Sequence, residues 1–139
     1  MDQATSWFHA RQSEESRARE EELAPGGTLV QLGKQLAQVA GKEVDDATAG
    51  RIGFAVHRTL GVTYGALTAA LVRRGVAPLR AGLTTAAAAF LLVDEGTAIS
   101  QMTDYPVESH LRGVVGHTTL GLATGGLLAL ANAVDGDRR

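Results

Sequence analysis

The sequence predicts an all-α fold, in which three long helices pack through stripes of glycine behind a short N-terminal amphipathic helix. Three observations predict it. The first is an internal echo about sixty residues apart: Gly53, His57, Gly61 and Gly65 recur as Gly113, His117, Gly121 and Gly125. Both segments read G-x-x-x-H-x-x-x-G-x-x-x-G, and residues four apart share one face of a helix. Glycine inside a helix costs roughly 1 kcal/mol against alanine, so six of them need a reason, and close backbone approach supplies one. The second is length. Residues 52–72 and 113–134 are apolar runs of just over twenty residues, the span of a bilayer core. The third is that no strand-like alternation of useful length occurs.

Each element follows in order. Residues 1–27 form a charged tail, helical or disordered, with Glu14, Glu15, Arg17, Arg19 and Glu20 to Glu22. Trp7-Phe8 is its one apolar pair, suited to a membrane surface or to packing on the body. No apolar run marks a signal peptide there. Pro25-Gly26-Gly27 breaks the chain. Residues 28–44 hold the amphipathic helix, N-capped by Thr28, with Leu29, Leu32, Leu36 and Val39 as its stripe and Gly41 as its end. Asp45-Asp46 caps the first long helix, over 47–74. Residues 75–78 turn, and a second long helix runs over 79–101. Pro106 opens the third, which runs to 134. The whole of 45–134 is one three-helix membrane domain, and 135–139 is a polar stop.

Composition bounds the function. A net charge of −2 and few aromatics argue against nucleic acid as a partner. The absence of cysteine removes disulfides, thiolate metal sites and cysteine nucleophiles. A mean hydropathy of +0.02 averages a charged first third with apolar helices. Walker-type loops, nucleophile elbows and the Glu-x-x-His pattern of bundle metal sites are absent. No catalytic residue, metal or cofactor is expected, and the chain reads as a non-enzyme.

The candidate polar cluster is His57, Arg58, Asp94, Glu95 and His117. If the first and third long helices met through their glycines, both imidazoles would share an interior. A carboxylate from Asp94-Glu95, set in an apolar helix where charge is costly, would be their natural partner. That arrangement would respond to pH. Plain interhelical hydrogen bonds, or a helix leaving the membrane at Asp94, account for the same residues. Arg58 either pairs with those acids or extends to the interface. Orientation is open: Arg73, Arg74 and Arg80 favour a cytoplasmic loop, whereas a charged N-terminus without a leader favours a cytoplasmic tail.

Gly41-Lys42-Glu43, His57, Gly61, Tyr64-Gly65, Gly82, Asp94-Glu95, Pro106, His110, Gly116-His117, Gly121 and Thr124, in that order, resemble the YagU-like family of small bacterial inner-membrane proteins. The resemblance covers roughly residues 40–132. It implies a multi-span helical membrane protein of the bacterial inner membrane, with no activity or cofactor to carry over. Two departures stand out: residues 84–89 are nearly pure alanine, and no proline follows Asp94-Glu95, which points to a continuous second helix. The expected function is a small integral membrane component or accessory subunit, whose partners are the lipid bilayer and a second copy or another membrane protein. Two alternatives stand beside it, a soluble dimeric bundle that binds a small ligand and a component of a pore or transporter.

Overall fold

The computed structural model describes residues 2–95 and 104–136, and over these the chain consists of helices joined by short turns, with no strand. The helices are α1 (Asp2–His9), α2 (Glu14–Leu23), α3 (Thr28–Val39), α4 (Asp46–Arg73), α5 (Pro78–Ala89) and α6 (Val107–Gly136), with a π-helical segment, Phe90–Glu95, continuing α5. The cap of α4 is as expected: the Asp45 carboxylate accepts a 2.7 Å hydrogen bond from the Thr48 amide. That bond holds the Asp45 carboxyl below its ordinary range. Gly27, not Thr28, caps α3, and Pro78 sits in the first turn of α5.

Two antiparallel helix pairs dominate the packing, α3 on α4 and α5 on α6. Both are held at backbone contact distance by small residues. A β-carbon placed on Gly33 would fall on the Ala49 carbonyl, and one on Gly53 would fall on the Leu29 carbonyl. In the other pair, a β-carbon on Gly82 would collide with the Gly121 carbonyl. One on Gly125 would stand 2.7 Å from the Pro78 carbonyl. These approaches are closed to any residue but glycine. α4 joins the two pairs by packing more lightly on α5, with Thr68 fully buried between them.

Two expectations change here. The twin glycine segments do not pack on one another. Gly53 serves α3, Gly121 and Gly125 serve α5, and α4 touches α6 only slightly. A β-carbon on Gly61 or Gly65 would meet nothing within 4 Å. The buried face of α3 is Gly33 with Ala37, while Leu29 is 37% exposed and Val39 88%. A leucine stripe would have held α4 too far away for the carbonyl contacts that form.

The second long helix is not uniformly α. At Phe90 its hydrogen-bonding widens to the π pattern, which runs to Glu95. The remainder of the expected helix, 96–101, and the site of the missing proline lie outside the described residues.

The interior is built of small side chains. The buried apolar residues are Ala24, Ala37, Ala49, Ala81, Ala86 and Ala89. The large aliphatic residues face outward: Val62 is 73% exposed, Leu92 65%, Leu127 68% and Leu130 66%. The accessible surface is 9164 Å². A compact monomer of this mass would expose about 6,900 Å².

This packing makes a paired prediction. Gly82→Ala drives a methyl into the α6 backbone and should cost about 1–3 kcal/mol. Gly61→Ala adds a methyl in open space and should be neutral or stabilising by up to about 1 kcal/mol. Chemical unfolding followed by helical circular dichroism, on both variants beside the parent, measures the difference.

Candidate functional site

The residues singled out from sequence are dispersed. His57 and Arg58 are exposed on α4, and the Arg58 guanidinium stands 5.8 Å from the centre of the Phe54 ring. His117 is half-buried on α6, its ring 5.8 Å from that of Phe90. Its Nδ1 lies 3.0 Å from the Gly113 carbonyl, which can only accept, so Nδ1 carries the proton. The imidazole of His57 thus faces outward, while that of His117 faces the π segment. Asp94 and Glu95 end that segment by their backbone, and their side chains lie outside the described residues.

A cleft opens where the twin segments were expected to touch. Gly61, Tyr64, Gly65, Thr85, Gly121 and Thr124 are among its walls, and its cavity volume is about 10 Å³. Small-molecule pockets are generally larger, about 300–1,000 Å³, and more enclosed. The hydroxyls of Thr68 and Thr85 donate to Tyr64 and Ala81 one turn back on their own helices, at 2.9 Å each. They are turned into their helices rather than offered to a guest.

The most developed polar site lies elsewhere, at the start of α6. Arg112 donates from Nη1 to Glu20 Oε2 at 2.9 Å and to Gln12 Oε1 at 2.6 Å. The same nitrogen lies 2.9 Å from His9 Nδ1. Gln12 Nε2 donates to Glu20 Oε1 at 2.7 Å and to Ser16 Oγ at 3.2 Å, and Ser109 Oγ also donates to Glu20 Oε1. Gln12, Ser16 and Ser109 are buried, and the side chains of Glu20 and Arg112 are 13% and 23% exposed. Three elements, α1, α2 and α6, thereby meet on one ion pair.

Burial alone would raise the Glu20 carboxyl. Hydrogen bonds from Ser109, Gln12 and Arg112, with the arginine charge, outweigh it and hold the group below its ordinary value of 4.5. Tyr105 is pushed up, first by burial and then by the Glu20 charge. Because the folded Glu20 value is depressed, the ion pair stabilises the fold above about pH 4.5 and is lost as pH falls through the folded value.

Little in the local sequence points to this site. α2 reads as a solvated helix with charges of both signs, and Arg112 reads as an interfacial residue of α6. Nothing local pairs Glu20 with an arginine 92 positions away. The signal that was present is compositional: Gln12 and Ser16 break the charge run on one face of the turn between α1 and α2.

Comparison of the chain with protein-family models, with curated proteins and with solved structures finds no match in any of the three. Among the described residues no group of three or more histidines and acidic residues could hold a metal ion.

Removing the arginine tests the electrostatic account. In Arg112→Met, Glu20 keeps its burial but loses a donor and its countercharge, so its carboxyl should move up towards or above 4.5. The acid-side loss of stability should move to higher pH with it. Carbon-13 NMR titration of the glutamate carboxyls in parent and variant reads the shift directly.

Proposed function

We propose that this chain is a small integral membrane protein with α6 as its principal span, acting as a non-enzymatic membrane component. The observation that carries the reading is the inverted packing, with alanine, glycine and threonine inside and leucine and valine outside. Water penalises that arrangement and lipid does not, because between helices in a bilayer close small-residue packing replaces hydrophobic burial.

Three further observations support it. The segment Val107–Val134 is the one helix among the described residues long and apolar enough to cross a membrane, and 17% of its apolar window is buried inside the molecule. A core helix of a soluble protein would be mostly buried. The exposed hydroxyls of Thr59 and Thr63 donate to Ala55 and Thr59 at 2.9 Å, which satisfies them without water. Arg112 and the docked α1, with Trp7 59% exposed, stand at one end of the apolar run, where cations and tryptophan mark a membrane boundary.

In this reading α4 and the α5–π unit are the second and third membrane helices. Arg58, stacked near Phe54, extends towards the interface. The pH-responsive part of the reading narrows to His117 with the π segment that ends at Asp94 and Glu95, since His57 is exposed. The membrane proposed is the bacterial inner membrane, on the resemblance to the YagU-like proteins, and the partners are lipid and a second copy or another membrane protein.

The exposure of His57 and Arg58 halfway along α4 favours a second reading, a water-soluble bundle that buries its leucines against a second copy. One substitution separates the two. Leu122, 47% exposed, sits near the middle of α6. A lysine there costs about 2.5–3.5 kcal/mol in a bilayer, whereas in a soluble bundle it would weaken the pairing of copies and leave parent and variant alike in the supernatant. The parent should stay in the membrane pellet after alkaline washing and Leu122→Lys should be depleted from it. A parent recovered in the supernatant refutes the membrane reading.

A further inference from the structure

The polar site at the head of α6 is the attachment point of a separate piece of the molecule. α2 makes no extended contact with any other helix, and its one buried residue is Ser16. Its sequence, EESRAREEEL, has no apolar face to dock. α1 packs on α6, and Glu20, Gln12 and Arg112 form polar links between the α1–α2 pair and the body.

We propose that residues 2–23 form an acid-released flap, docked on α6 while Glu20 is ionised and freed when it is protonated, with α3 to α6 staying folded beneath it. Release uncovers Arg112 and Ser109 at the head of α6, and frees the helix that carries Trp7 and Phe8. The inference concerns the charge chemistry of the cluster and does not depend on the membrane reading.

Glu20 is the charged centre of the joint, beside the direct bond from Arg112 to Gln12. Its two oxygens accept from Gln12 on the α1–α2 turn and from Ser109 and Arg112 on α6. Protonation removes the countercharge of a largely buried guanidinium and gives one oxygen a proton, which among the donors around it only the Ser109 hydroxyl could accept, by reversing its own bond. His9 also stands at the joint, its Nδ1 2.6 Å from Gln12 Oε1, 2.9 Å from Arg112 Nη1 and 4.0 Å from Glu20 Oε2.

Other ionisable groups stand around the joint. On α1, Arg11 turns back to the Trp7 carbonyl at 3.1 Å and lies 3.8 Å over its ring. On α2, Arg19 pairs with Glu22 at 2.8 Å. Tyr105, raised from its usual value, stays neutral over the acid range. Glu108 and His110 flank Ser109 on α6. The depressed Glu20 value places release below about pH 4.5 and docking above it.

The chain has no cysteine, so labels can be placed at will. One spin-label pair spans the joint, Ala10→Cys with Leu111→Cys. A control pair sits within the body, Leu83→Cys with Leu122→Cys. Double electron–electron resonance is recorded on the full chain in steps from pH 7 down to pH 2.5, in detergent micelles or in buffer according to where the protein fractionates. The expected result is a narrow flap distance at pH 7 that broadens and lengthens as the pH falls through the docked Glu20 value, with the control distance unchanged at the pH where the flap opens. Glu20→Gln should show the broad distribution already at pH 7. A flap distance that stays narrow down to pH 2.5, or a control that spreads at the same pH as the flap, overturns the proposal. Should Glu20→Gln fail to fold, the pH series on the parent pairs decides alone.

Discussion

The structure depends on two places where helix backbones touch. At Gly33 and Gly53, and again at Gly82, Gly121 and Gly125, a carbonyl of one helix occupies the volume where the other would carry a β-carbon. Such contact brings axes closer than the usual 8–10 Å of side-chain packing. It multiplies weak dispersion contacts along the seam. It also fixes register, because sliding either pair by one residue would set a side chain against a carbonyl. The antiparallel directions of α3 on α4 and α5 on α6 follow from which glycine meets which carbonyl.

A seam of that kind has a consequence for the rest of each helix. Once the small residues turn inward, the leucines and valines between them turn outward. The molecule therefore gains little of the usual 1.5–3 kcal/mol per large apolar side chain removed from water. Its largest fully buried side chain is Thr68. A fold assembled this way needs its surroundings to accept the outer leucines, whether lipid or a second copy provides that. The self-satisfied hydroxyls of Thr59, Thr63 and Thr119 fit the same environment, since each donates to a carbonyl one turn earlier on its own helix.

Much of the secondary structure was legible because it is written in local pattern. Asp45 as the cap of α4, Pro25 to Gly27 as a break and Pro78 as a helix start are all choices a few residues make among themselves. Partner choice was not legible. The echo around His57 and His117 suggests that like packs on like, but identical spacing says only that each segment offers a flat face. Which neighbour takes that face depends on loop length and direction. α5 lies between α4 and α6 in the chain and reaches Gly121 and Gly125 first. The Glu20–Arg112 joint was hidden for a different reason. A charge run is normally solvated, and only a distant arginine with a buried serine hydroxyl and a buried glutamine amide turns one glutamate of that run inward.

The distribution of polar chemistry then narrows where function can reside. On α6 His117 and Thr119, and on α5 Thr85, close on carbonyls one turn back on their own helices. The cleft between α4 and α6 is small and walled largely by glycine, alanine and inward-turned threonine. Chemistry that must meet a partner is pushed to the ends. At one end stand Arg73, Arg74 and Arg80, exposed around a tight turn with Gly75 at φ 91°. At the other stands a largely buried ion pair under a removable cover. An exposed arginine group is insensitive to acid, because guanidinium stays charged. The Glu20 end is not, so the two ends of the molecule differ in kind: one carries a constant charge, and the other a charge whose exposure depends on pH.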